Sequence, residues 1–242
     1  NRLSDTWNLQ AGLRAEQTIG EGRSASLDEV GSRDYVEFFP NIMLEQQVSD
    51  NYKLNYSYSK RISRPNYSYF NPVAFYLDPY SYVVGNPDLR AQITSSYKVG
   101  QTFFKKYHLM LSYDHVKDFS AEVPSTNSET GETIFTTRNL DNSRSYTATV
   151  VAPVQLASFW NTNNNLVLNQ QYFDLTFDEE KVSNDNFFYL FQSNHQINLP
   201  WDISFEMNGS LQGPVAYGVY NIDQQWWVDA GLKKSFLDDR LN

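Results

Sequence analysis

Trp201-Asp202-Ile203-Ser204-Phe205-Glu206-Met207-Asn208-Gly209-Ser210-Leu211-Gln212 reads as a β-strand from end to end. Trp201, Ile203, Phe205, Met207, Gly209 and Leu211 fall on one side, and the acidic, hydroxyl and amide residues between them fall on the other, because successive side chains of a strand point to opposite faces. One face is dry and the other wet. Working outward, Trp7, Leu9, Ala11, Leu13 and Ala15 alternate with Asn8, Gln10, Gly12, Arg14 and Glu16. Tyr52, Leu54, Tyr56 and Tyr58 alternate with Lys53, Asn55, Ser57 and Ser59, and Ile93, Tyr97, Val99 and Phe103 with Gln92, Thr94, Ser96, Lys98 and Thr102. Further strands are expected near 35–49, 107–120, 143–158, 185–199 and 224–237. The stretch 162–177 alternates poorly and is assigned as a strand because its neighbours need one to pair with.

Several of these segments alternate for about ten residues or more, whereas strands of soluble domains average roughly 5–6. A tilted strand needs about 9–11 residues to cross the hydrocarbon of a bilayer. The connections are lopsided. Ser49-Asp50-Asn51, Lys105-Lys106, Phe159-Trp160-Asn161, Pro200 and Asp238-Asp239 are tight turns, while 20–34, 65–89 and 121–142 are long. Short turns at one end and long loops at the other is the plan of an outer-membrane barrel. The fold expected is all-β, an antiparallel up-and-down transmembrane β-barrel segment of about ten strands, with residues 1–242 as one barrel domain. No run of 18 or more apolar residues occurs, which excludes a spanning helix and leaves a barrel open.

Composition narrows the function classes. Lys and Arg number 19 against 28 Asp and Glu, a formal charge of −9, which argues against nucleic acid, since neutralising phosphates requires clustered cations. Charged residues make up 19% of the chain, below the ~25% of an ordinary soluble domain. Cysteine is absent, so there is no disulfide framework and no thiolate metal site. Aromatic rings flank the tight turns: Trp7, Tyr52, Phe103, Phe104, Tyr107, Phe159, Trp160, Trp201 and Phe236. A membrane interface selects such a row of amphipathic rings.

Charges at strand midpoints follow the wet phase. Arg14, Glu16, Lys98, Asp114 and Glu206 are therefore expected to face a polar lumen, because a midplane Arg or Lys on the lipid side costs ~2–4 kcal/mol. Leu9, Leu13, Leu54, Val99, Leu109, Leu111, Ile203, Phe205 and Val228 are expected to face lipid. Folding the hairpin about Lys105 sets Ser96 opposite Asp114, with Lys98 diagonal to it and within reach of an ion pair. Folding the next about Pro200 sets Asn194 opposite Glu206.

Ser59-Lys60-Arg61-Ile62-Ser63-Arg64-Pro65, then Phe70-Asn71-Pro72, Asp78-Pro79-Tyr80-Ser81-Tyr82 and Gly85-Asn86-Pro87-Asp88-Leu89, resemble the outer-membrane β-barrel protein family of Bacteroidota-type Gram-negative bacteria, relatives of TonB-dependent receptors. The pattern there is SKRISRPxYxxLNP…DPYSYxxGNPxL; this chain departs from it at Phe70, where Leu is usual, and at Arg90-Ala91, where Pro is common. Thr137-Arg138-Asn139-Leu140-Asp141-Asn142 also resembles a family feature. The resemblance implies a barrel of about 22 strands enclosing a plug domain, placed in the outer membrane among its lipids. It implies ligand import driven by the TonB complex, with a siderophore, glycan or peptide as ligand and a surface lipoprotein as a further partner. This chain would be roughly the second half of such a barrel, without plug or TonB box.

The same stretch has a physical reading. Pro65, Pro72, Pro79 and Pro87 remove backbone donors and end regular ladders, while Asn71-Pro72, Asp78-Pro79 and Gly85-Asn86-Pro87 are turn signals. An ordered loop is expected. Arg61, Arg64, Asn71, Asp78, Tyr80, Asn86 and Asp88 are its candidate ligand-binding or loop-organising residues. No catalytic, cofactor or metal site is indicated: His108, His115 and His195 lack ligand spacing, and Gly209-Ser210-Leu211-Gln212-Gly213 misplaces the serine for a nucleophile elbow. The acidic run Asp178-Glu179-Glu180 reads as a loop tip. The competing architecture is a secreted or surface-attached β-sandwich that binds glycans through exposed rings, its dry faces packed on each other.

Overall fold

In the computed structural model, which describes residues 2–24, 29–177, 180–217 and 220–234, the chain is built from strands and one short 3₁₀ turn, Tyr67–Phe70. In chain order the strands are β1 (Trp7–Ser24), β2 (Glu29–Ser49), β3 (Tyr52–Ser63), β4 (Phe75–Asp78), β5 (Ser81–Val83), β6 (Gln92–Phe103), β7 (Tyr107–Lys117) and β8 (Ser120–Thr126). They continue as β9 (Thr133–Asn139), β10 (Asn142–Ala157), β11 (Trp160–Phe177), β12 (Glu180–Leu199), β13 (Ile203–Gln212), β14 (Val215–Tyr217), β15 (Tyr220–Ile222) and β16 (Gln225–Lys234). One sheet of ten strands runs β1-β2-β3-β6-β7-β10-β11-β12-β13-β16, every neighbour antiparallel. That is the expected up-and-down order. β1 and β16 form its two edges.

Register carries each face across the sheet. Leu9, Leu44, Tyr56, Val99, Leu111, Ala148 and Leu168 form one row on the dry side, and Gly12, Asn41, Ser59, Ser96, Asp114, Ser145 and Gln171 one on the wet side. The dry side stands open: Leu13 and Leu232 are each 70% exposed and Trp226 71%. A sandwich would pack a second sheet there, and among the described residues none does. Among the described residues the buried hydrophobic side chains are Phe39, Leu89, Ala121, Val123, Leu140 and Phe173, and Ala121, Val123 and Leu140 form one cluster with Phe119 packed on it.

Several expectations need correction. Most of 20–34 is strand rather than loop, with Gly20↔Arg33 and Ser24↔Glu29 paired; its Gly and Ser residues gave no alternation to read. The 65–89 and 121–142 connections contain β4, β5, β8 and β9, which make a second sheet in the order β4-β5-β9-β8, with β5 parallel to β9. Beyond Pro200 the hairpin closes later than its proline suggested, because Trp201 (φ 67°) and Asp202 (φ 57°) take left-handed turn conformations. Gln196, not Asn194, therefore opposes Glu206. The two-step slip leaves both faces unchanged. Ser96 does oppose Asp114, but the Asp114 carboxylate takes the Ser96 hydroxyl, and among the described residues no Lys98 ion pair forms there. Asp178, Glu179, Phe236 and the Asp238-Asp239 turn lie outside the described residues.

The short connections 50–51, 104–106, 158–159 and 200–202 share one end of the sheet. Phe104, Phe159 and Trp201 stand exposed on them, and Tyr52 stacks on Phe103 at 4.9 Å beside them. β1, β2, β11 and β12 hold 18, 21, 18 and 20 residues, far beyond the ~9–11 that a bilayer crossing needs, so a crossing would leave their other ends projecting past it. In the full-length protein in cells, cysteine at Glu206 on the wet face should react with a water-soluble thiol reagent, and cysteine at Phe205 on the dry face should be protected. The reverse pattern would invert the faces.

Candidate functional site: the loop cap and the wet face

Two connections that are separate in sequence build one cap. The β3–β6 connection supplies β4 and β5, the β7–β10 connection supplies β8 and β9, and β5 zips onto β9 through Ser81↔Thr133, Tyr82↔Ile134 and Val83↔Phe135. Asn139 fastens the seam. Its Oδ1 accepts the Arg90 N–H at 2.7 Å, and its Nδ2 donates to the Arg90 carbonyl at 3.0 Å and to the Asp118 carbonyl at 2.8 Å, so one side chain imitates a paired backbone. Arg90 Nη2 meets the Asp118 carboxylate at 2.7 Å, and Gln92 Nε2 donates to Ser120 Oγ at 2.6 Å. Below the seam, Phe119 packs on Phe173 at 5.3 Å and ties the cap to β11.

The structure sorts the candidate loop residues by what they touch. Asn71 accepts the Val73 N–H on Oδ1 and the Gly85 N–H on its carbonyl. Asp78 accepts the Tyr80 N–H at 2.7 Å, and Asn86 accepts the Asp88 N–H while donating to the Thr137 carbonyl at 3.1 Å. These are turn-closing contacts of the kind Asn and Asp make with nearby backbone. Gly85 allows the closest approach: a Cβ there would lie 2.7 Å from the Asn71 nitrogen and 2.8 Å from the Tyr69 carbonyl oxygen. Arg64 reaches across to β1, donating to Glu16 at 2.8 Å and Thr18 at 2.9 Å. Tyr80 is exposed, with Tyr67, Phe75 and Tyr76 on the same loop. Arg61 is exposed on the wet phase of β3 and forms no hydrogen bond or ion pair among the described residues.

On the wet face, Arg14 pairs with Glu16 at 2.9 Å and lies over the Phe39 ring, 5.0 Å from its centroid; Lys60, on the other phase of β3 opposite Ser95, reaches Glu37 of β2 at 2.8 Å. Each such partly exposed pair stabilises by only about 0–1 kcal/mol; their larger effect is to hold loop and hairpin in one arrangement. The register sets Arg14, Glu16, Lys98, Asp114 and Glu206 on this one face. Toward the short turns the face hollows into a cavity of about 610 Å³ bordered by Lys106, His108 and carboxamides. Three rows cross it or border it on β11, β12 and β13: Asn161, Gln196 and Glu206; then Asn163, Asn194 and Asn208; then Asn165, Gln192 and Ser210. Sequence reading passed over this lattice because 162–177 alternates poorly: Thr162 and Asn164 on one phase are as polar as Asn163 and Asn165 on the other.

The model of a family described as "Outer membrane protein beta-barrel family" matches residues 1–242. Among solved structures, the siderophore receptor PirA from Pseudomonas aeruginosa is similar at 17% identity and a TM-score of 0.65, covering 94% of this chain and 39% of that one. PirA from Acinetobacter baumannii is similar at 15% identity and a TM-score of 0.62, covering 98% of this chain and 38% of that one. The copper transporter OprC is similar at 12% identity and a TM-score of 0.62, covering 95% and 38%. At these identities the likeness is one of fold, and the chain spans well under half of each protein. No curated protein matches it.

Replacing Asn139 with Ala removes its three hydrogen bonds and strands backbone groups at the seam, which should loosen the cap by about 1–3 kcal/mol. Hydrogen exchange at 81–83 and 133–139 should quicken while the ten-stranded sheet keeps its protection. Gly85→Ala should disturb the β3–β6 connection itself, through collision with the Asn71 and Tyr69 backbone.

Proposed function

We propose that this chain, which belongs to the outer membrane protein β-barrel family, forms wall and extracellular cap of a TonB-dependent receptor that imports a ligand across the outer membrane. The observation that carries the reading is the ten-stranded antiparallel wall, dry on one face and wet on the other, with an ordered cap over its long-loop end. An open edge in lipid leaves backbone groups unsatisfied at several kcal/mol each. The edges at β1 and β16 are then closed by the remaining strands of a barrel of about 22, and the wet face surrounds a plug that the TonB complex pulls. The names of the similar structures, siderophore receptors and a copper transporter, support import as the activity. A surface lipoprotein and a Bacteroidota-type source accord with the 59–89 motif.

In the cap and on the end of β3 beside it, ligand contact falls to the groups that the structure does not use to hold itself. Arg61, with five donors and no partner among the described residues, the exposed Tyr80 ring and the Asp88 carboxylate are those groups. Asn71, Asp78, Asn86 and Arg64 organise the loop instead.

The test compares uptake and ligand binding in cells carrying the complete receptor, the receptor with 65–89 replaced by a short Gly-Ser turn, and this chain alone. The loop replacement should abolish tight binding, Arg61→Ala should weaken it about tenfold, and the chain alone should import nothing. Undiminished uptake after loop replacement, or TonB-dependent uptake by the chain alone, would defeat the reading.

A further inference from the structure

We propose that the upper β1–β2 hairpin, residues 13–19 with 34–40, is a hinged leaf that Lys60 and Arg64 latch against β3, and that opening the latch frees the segment bearing Arg61. The last clause rests on the reading that Arg61 meets the ligand; the leaf and its latch stand on register and contacts alone.

The ladder between β2 and β3 stops at Asn41↔Ser59. Pro40 is the next residue of β2, and its missing N–H cannot continue the ladder. Past that point each strand keeps a single neighbour in the sheet: β2 from Pro40 to Glu29 pairs with β1, and residues 60–63 of β3 pair with β6. Gly12 opposes Asn41 at the same level. The seam thus opens at a proline on one strand of the hairpin and a glycine, the least restricted residue, on the other.

Parity shows that the hairpin leaves the plane of the sheet. Glu37 and Phe39 oppose Glu16 and Arg14 on the wet phase, whereas Lys60, opposite Ser95, continues the dry phase of Tyr56 and Tyr58. In a flat sheet those two sets stand on opposite faces. Here Lys60 Nζ lies 2.8 Å from the Glu37 carboxylate and 5.9 Å from the centre of the Phe39 ring. Arg64 reaches beyond β2 to Glu16 at 2.8 Å and Thr18 at 2.9 Å on β1. The upper hairpin therefore turns its wet face toward Lys60 and Arg64. Phe39, caught between Arg14 of its own hairpin and Lys60, is 3% exposed.

Charge closes this seam. Beyond Asn41↔Ser59 no backbone pairing crosses it among the described residues, and the leaf's other face stands open, with Leu13, Ile19, Val36 and Phe38 exposed. Ion pairs that are partly exposed, as these are, are weak one by one and weaken further in salt. The leaf itself is held by its own ladder, Leu13↔Pro40 to Ile19↔Asp34. The latch can therefore release without unfolding the leaf. Arg61 lies between the two latch residues on the opposite phase of β3, so a closed latch turns it toward the wet side, and an open one leaves 60–64 without an anchor on the hairpin. Lys60 and Arg64 are positioning residues that act through Arg61.

The experiment uses the full-length protein in outer membranes, with nitroxide labels on cysteines placed at Val36, on the open face of the leaf, and at Leu111, on the dry face of β7. Neither residue belongs to the latch. Val36 lies four residues beyond Pro40, a lever of about 13 Å. Double electron–electron resonance should give one narrow distance at low salt, which lengthens by several ångströms and spreads as salt rises toward about 1 M, where screening acts within about 3 Å. K60E/R64Q should show the open distance at low salt, and adding E37K should bring the narrow one back. Amide exchange along 7–19 and 34–46 should stay slow throughout. A distance that neither salt nor K60E/R64Q alters would overturn the proposal, as would a spread that E37K fails to reverse or that comes with fast exchange in the leaf. The salt series touches no latch residue and decides the matter where the variants fail to assemble. A latch that opens as described while Arg61→Ala leaves TonB-dependent uptake unchanged would sink the role of Arg61 and leave the leaf standing.

Discussion

The hydrogen-bond ladder between neighbouring strands is what everything else depends on. The wall is one sheet thick, with no second layer against its apolar side among the described residues, so the backbone groups of each strand are satisfied sideways by the strands next to it. That requirement fixes the antiparallel order from β1 to β16 and makes alternation obligatory: each residue commits its neighbour to the opposite face. It also explains why the chain has so little buried hydrophobic surface and why many of its large apolar side chains stand open. In lipid those side chains meet their intended solvent.

Polar groups obey the same constraint with opposite results on the two faces. The linked chain from Trp160 through His195, Ser193 and Asn164 to Thr162 lies on the dry side, where an unpaired donor has no water to turn to. The wet side tolerates open carboxamides and ion pairs, since water or a partner can reach them. The same residue type therefore plays two parts on adjacent positions: the Asn164 side chain is bonded within the wall, while that of Asn163 forms no hydrogen bond among the described residues.

Beyond the bilayer the ladder changes purpose. Prolines interrupt the long connections and leave stretches such as 81–83 and 133–135 to pair with each other instead of with the wall. The resulting cap has a small core around Ala121, Val123 and Leu140, and Phe119 and Phe173 join it to the strand below. A rigid cap on a rigid wall holds Arg61, Tyr80 and Asp88 in fixed positions without drawing on their side chains for its own stability.

Period-two alternation, strand length and the lopsided connections determined the all-β wall, its order and its two faces, because facing depends only on the parity of each position within its strand. They also marked the 59–89 stretch as an ordered loop through its prolines and Asx turns. Tertiary structure decided the rest, for reasons that parity does not contain. The parallel pairing of β5 with β9 joins segments about fifty residues apart, and Asn139 became a fastener only once Arg90 was brought to it. The Pro200 hairpin closed on left-handed Trp201 and Asp202, which shifted partners by two without exchanging faces. β1 and β2 continued through Gly and Ser residues that carry no alternation, held by each other's backbone. Where the information lies in one chain's period, it was legible; where it lies in which two backbones meet, only the folded structure supplied it.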